Sequence, residues 1–168
     1  NANNVSAAAA PVTIHLQLKV GLQLAAMVGF CADPSRDDCA FGHLTSGGTL
    51  ANVQSLRLAM ALKYVPVALR AAGAPLEGLP EDDWTAFNLA PADGIALLER
   101  WRGWSAASSP SERLRWRERI DRERVESLGL SAFFERHPTL SPPLVFAPST
   151  AHYSWSKGVK MLGIGRDR

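Results

Sequence analysis

Two short stretches of this sequence hold residue types from which chemistry is built. The first is Thr45-Ser46-Gly47-Gly48-Thr49, two glycines among hydroxyl residues at the head of a long helical pattern. The first N–H groups of a helix have no partner within it, and the helix dipole favours negative charge there. Gly47 and Gly48 carry no Cβ, so their backbone can approach a ligand closely. Thr45, Ser46 and Thr49 add hydroxyl donors. The pattern fits an anion cradle, but taken alone it fits better a strand-to-helix turn that uses Gly-Gly purely for geometry. It is not a P-loop, because Thr49-Leu50 follow Gly48 where Lys-Ser/Thr is required, and no G-x-G-x-x-G is present at the turn.

The second stretch is Pro148-Ser149-Thr150-Ala151-His152-Tyr153-Ser154-Trp155-Ser156-Lys157. An imidazole can stack on a flat heteroaromatic ring and can relay a proton near neutral pH. A lone histidine after a strand is otherwise a satisfied structural residue. His43 is read as packing or capping, and His15 as a helix residue at the surface or a dimer contact. There are four lysines, Lys19, Lys63, Lys157 and Lys160. Cys31 and Cys39 flank a polar loop without metal-ligand spacing, so no metal site is expected, and free thiols are favoured over a disulfide.

The elements that must position these residues follow from periodicity. Apolar residues recur at helical spacing over 12–30, with Pro11 suited to the first turn and Gly29 to the end. Residues 31–40 read as a charged loop, and the short runs 40–45 and 144–147 as buried strands. A long helix starts at Thr49, is kinked or restarted at Pro66, and ends near Gly73. The proline-rich segment from 74, with helical pieces such as 91–101, reads as a surface insertion. Ser111 is expected to cap a charged helix over 111–128, with a Glu118–Arg122 pair along it. A last helix covers 155–162 and ends at Gly163 or Gly165. Strands alternating with helices imply an α/β fold with a parallel sheet. Two strands make a poor core, which marks the sheet as incomplete.

The bulk properties are those of an ordinary globular chain: 168 residues, 46% hydrophobic, 20% charged and formal net charge +2. The near balance of charge gives no reason to expect nucleic acid or an anionic membrane as partner. Acidic residues interrupt the basic run 113–124, so it reads as a solvated face. No run approaches the roughly 18 apolar residues of a membrane span, and the N-terminus lacks the pattern of a secretory signal. The expected compartment is the cytoplasm.

Together the motifs are more specific than either one. Gly42-His43-Leu44-Thr45-Ser46-Gly47-Gly48-Thr49-Leu50-Ala51-Asn52 resembles the cofactor-phosphate turn of the group II pyridoxal-phosphate (PLP) amino-acid decarboxylases. The stretch 148–157 resembles that family's second motif, and Asn3-Asn4-Val5 with Ala10-Pro11-Val12-Thr13 resembles the segment preceding its PLP domain. The segment between the motifs is most like bacterial tyrosine-decarboxylase-type sequences.

The resemblance implies the first part of a PLP-dependent transferase type I large domain, α/β, a mainly parallel sheet flanked by helices. Residues 1–40 would be an N-terminal helix and loop, and 41–168 the start of the PLP-binding domain, with a helical insertion at about 74–140. It implies PLP as cofactor, Ser46, Gly47, Gly48 and Thr49 around its phosphate, and His152 over its ring as the catalytic histidine. Asn4 and Thr13 would border the substrate, an aromatic L-amino acid such as tyrosine, in a homodimer.

The family's Schiff-base lysine lies downstream in a His-Lys pair, which this sequence lacks. The resemblance therefore implies a chain inactive alone within an active parent. Another PLP carbon–carbon lyase of the same fold, like sphingosine-phosphate lyase, and a non-catalytic remnant or interaction module remain open at this point.

Overall fold

The computed structural model describes residues 10–165, and every regular element among them is a helix. In order these are α1 (Pro11–Met27), α2 (Gly48–Ala71), α3 (Asp83–Phe87), α4 (Pro91–Ala107), α5 (Pro110–Asp121), α6 (Val125–Leu128), α7 (Leu130–Arg136) and α8 (Ser154–Met161).

This corrects the expectation of an α/β fold with a parallel sheet. Residues 40–45 and 144–147 run as irregular chain and form no ladder among the described residues. The reason is that a strand is defined by its partner, whereas an apolar run needs only something to pack on. Val145 packs beside Leu56, Val159 and Ile164, while neighbouring Phe146 is 92% exposed. Side chains alternate without backbone pairing.

The chain divides into two compact units, residues 1–48 and 49–168. In the first, α1 begins with Pro11 at its first turn and is followed by Gly29 at φ +87°. A tight loop follows. Ser35 donates from both its N–H and its hydroxyl to Asp33 Oδ1, at 2.9 and 2.7 Å, and Arg36 pairs with Asp38 at 2.7 Å. The Ala40 N–H closes the loop on the Cys31 carbonyl at 2.8 Å. Cys31 and Cys39 are free thiols. The chain then returns along α1, with Gly42 against Gly21. A Cβ on Gly21 would lie 2.5 Å from the Gly42 carbonyl oxygen, so this approach of backbone to backbone requires glycine at 21.

In the second unit α2 is the spine. Val67, Ala68 and Leu69 are consecutive and fully buried, so the helix is enclosed on all sides there. Tyr64 and Val67 face α3 and α7 through Phe87 and Phe133, and Leu69 and Ala72 face α4 and α5 through Leu97 and Ile120. The insertion-type segment from 74 thus supplies core residues to α2.

Helix α2 runs without interruption through Pro66. That residue has no N–H to give the Leu62 carbonyl. Buried Gly94 of α4 lies against this same carbonyl, which a Cβ at 94 would meet at 3.6 Å. Helix α5 is capped by Ser109 rather than Ser111. Ser109 and Glu112 form a reciprocal capping box, with Pro110 in the first turn. The i,i+4 pair along α5 is Arg117–Asp121 instead of Glu118–Arg122.

One polar cluster ties three elements together. Asp83 of α3 accepts from Arg70 of α2 and, at 2.8 Å, from His137 Nδ1 at the end of α7. Partial burial would raise the Asp83 pKa. Hydrogen bonds and charge from His137 and Arg70 outweigh that and hold it below the ordinary carboxylate value.

Candidate functional site

Helix α8 lies against the first turns of α2, with Gly158 at the contact. A Cβ on Gly158 would meet Leu56 Cδ1 at 2.8 Å and Val53 Cγ2 at 3.5 Å. Val159, Ile164 and Leu56 close the apolar side of this contact. One turn earlier on each helix the contact becomes polar. Asn52 Nδ2 donates to Ser154 Oγ at 2.7 Å, and Ser154 is fully buried.

His152 completes the chain of contacts. Its Nδ1 is 2.9 Å from Ser154 Oγ and accepts the Ser154 backbone N–H at 3.3 Å. The Tyr153 ring lies beside the imidazole, centroids 4.3 Å apart at 40°. The imidazole is exposed. The motif around His152 is thus hydrogen-bonded to the helix that the glycine turn begins.

At that turn Gly47 has φ +152°, a backbone region that favours glycine. Among the described residues, nothing lies within 4 Å of where a Cβ on Gly47 or Gly48 would stand. Ser46, Gly47 and Gly48 are exposed and Thr49 is half-buried. Thr45 is used internally, its hydroxyl donating to the Gly47 carbonyl at 3.0 Å. The turn therefore offers open backbone at the start of a 24-residue helix, a geometry that accommodates an oxyanion.

The remaining expected residues fall elsewhere. Thr13 is half-buried, and its hydroxyl donates to the Ala10 carbonyl at 3.3 Å. Asn4 lies outside the described residues. His15 is exposed, and His43 stacks on Phe41 with centroids 6.0 Å apart. Lys63 Nζ donates to the Phe87 carbonyl at 3.2 Å and lies over the Phe87 ring, and burial lowers its pKa. Asn52 and Ser154 were not singled out by sequence reasoning. Their only signal was membership of the two motifs, because contact between them depends on how α8 docks.

Curated relatives match the whole chain. It is 27% identical over 168 residues to an L-tyrosine decarboxylase of Levilactobacillus brevis, covering 22% of that protein. The chain is similar to L-tyrosine decarboxylases from end to end. The corresponding proteins of Enterococcus faecalis and Enterococcus faecium are 24% and 25% identical, with 23% of each covered. The chain therefore spans under a quarter of the length of these relatives. No family model matches. No described helix is long and apolar enough to cross a membrane. No group of three or more described His, Cys, Asp or Glu side chains could hold a metal ion.

Proposed function

We propose that this chain is the cofactor-phosphate and ring-facing part of a PLP-dependent aromatic L-amino-acid decarboxylase, with tyrosine as the substrate. The observation that carries the reading is the hydrogen-bonded run His152–Ser154–Asn52, which ties the second motif to the helix opened by the first. End-to-end similarity to proteins named L-tyrosine decarboxylase supports the reaction class, and favours it over other carbon–carbon lyases.

The residues present fit the cofactor. Open backbone at Gly47 and Gly48 leaves room for a phosphate, and the Ser46 and Thr49 hydroxyls stand on either side in sequence. Free N–H groups of the first turn of α2 suit a dianion. His152 presents an exposed aromatic ring whose orientation is fixed from behind by Ser154. Bound PLP supplies an electron sink for the pair left when carbon dioxide departs.

The lysine for covalent attachment is placed in the length of the relatives that this chain does not span. Lys63 is engaged at Phe87, and Lys157 and Lys160 lie on α8 in the run after His152. In this reading the full-length protein is a cytoplasmic homodimer, and this chain alone does not turn over substrate.

The test is PLP titration of the full-length protein, with carbon dioxide release from tyrosine as the activity. Gly48→Ala is informative because no atom of the described residues lies within 4 Å of the added methyl. Gly48→Ala, whose methyl would occupy the space left for the phosphate, and Thr49→Val, which removes a hydroxyl donor, should each weaken PLP binding about tenfold. Unchanged affinity in both removes the phosphate assignment.

A further inference from the structure

We infer that Asn52 and Ser154 are positioning residues that set the tautomer of His152, so that it meets its partner as an Nε2–H donor rather than as a base. The inference rests on the proposed role of His152 and adds a direction to it.

The argument starts from a donor that cannot change its role. The Ser154 backbone N–H lies 3.3 Å from His152 Nδ1, and an amide N–H only donates. Nδ1 must therefore carry a lone pair. The Ser154 hydroxyl lies 2.9 Å from the same nitrogen. Its oxygen already accepts from Asn52 Nδ2 at 2.7 Å, which leaves its single proton free to point at the ring. Two donors thus converge on Nδ1, and in the neutral ring the proton resides on Nε2. Ser154 is fully buried and Asn52 half-buried, so water does not readily replace either contact. Gly158 lies where the two helices that carry them meet, beside Leu56 and Val53.

The consequence is chemical. The exposed edge of the imidazole offers a hydrogen-bond donor to a carboxylate, a phosphate or a ring oxygen. Removing the hydroxyl donor should leave Nδ1 held by the amide alone and its lone pair more open to attack. Asn52→Asp keeps the side-chain shape but replaces the amide donor with an acceptor. The Ser154 hydroxyl would then turn its proton to the carboxylate and withdraw it from Nδ1.

The test uses diethyl pyrocarbonate, which acylates the imidazole nitrogen bearing a free lone pair, on the full-length protein. Peptide mapping follows His152, with exposed His15 as the internal reference. With Nδ1 occupied and Nε2 protonated, His152 should react more slowly than His15 despite its exposure. Asn52→Asp and Ser154→Ala should each raise its rate about fivefold, the weight of one hydrogen bond, with thermal melting confirming the fold. A His152 rate equal to that of His15 in the unmodified protein, or unmoved in both variants, overturns the inference. PLP absorbance and affinity of His152→Asn are read separately. If those are unchanged while the footprint responds, the cofactor role falls and the tautomer assignment stands.

Discussion

Asp83 joins three elements, α2, α3 and α7, and its ionisation makes the fold sensitive to acid. Its folded pKa is held below the ordinary value of 3.8. The stability it contributes is therefore complete above that value and is lost as pH falls through the lower folded value. Asp83→Asn should cost about 2 kcal/mol at neutral pH, because the carboxylate's charge is lost and one of the two oxygens that accept from Arg70 and His137 becomes an NH2 donor. It should also flatten the decline in stability below about pH 4, the range of a free carboxylate. Urea melts across pH 2 to 7 check both, and an equally steep acid limb in the variant would refute the assignment.

Tyr64 presents the opposite case. Burial pushes its pKa up to about 12, and its hydroxyl is buried without a hydrogen-bond partner among the described residues. Its ring packs edge-on against Phe87 and Phe133 at 5.2 and 5.0 Å. Tyr64→Phe keeps that packing and removes an unsatisfied group, so it should stabilise the chain by up to about 1 kcal/mol. A clear loss of stability in thermal melts would reveal a partner for the hydroxyl.

At the scale of elements, local signals and their limits are plain. Helix α1 was readable because Pro11 opens it and Gly29 follows its end, and α2 because glycines precede a long apolar period. The cap of α5 was also written in the sequence, as Ser109-Pro110-Ser111-Glu112, but a nearby second serine drew the assignment two residues late. The strand assignments failed because pairing is non-local: Leu144-Val145-Phe146-Ala147 reads the same whether or not a neighbour offers a ladder. At the candidate site, the glycine turn and His152 were legible as motifs. The Asn52–Ser154 bond was not, since it depends on the docking of α8. That docking is testable through Gly158→Ala, whose methyl would press on Leu56. It should cost about 1–2 kcal/mol and accelerate hydrogen exchange in α8. Unchanged exchange would show that the close approach is dispensable.

At the scale of the whole molecule, the exposed apolar surface stands out. Met27, Phe41 and Phe146 are 80%, 77% and 92% exposed. Within the first unit, Leu24, Met27, Val28, Phe30, Phe41 and Leu44 line one apolar groove. Surface of this kind is ordinarily covered by protein. The 168-residue chain alone should bind a hydrophobic dye and self-associate, and the full-length protein should do neither. A monodisperse, dye-silent chain would contradict this.

The two glycines that meet beside this groove are unequal partners. An alanine at 42 would meet the Gly21 Cα at 3.4 Å, an ordinary contact, whereas an alanine at 21 would run into a carbonyl oxygen at 2.5 Å. Mutational drift is therefore ordered here. Position 42 is free to change first, and position 21 can follow only after the returning segment has moved away.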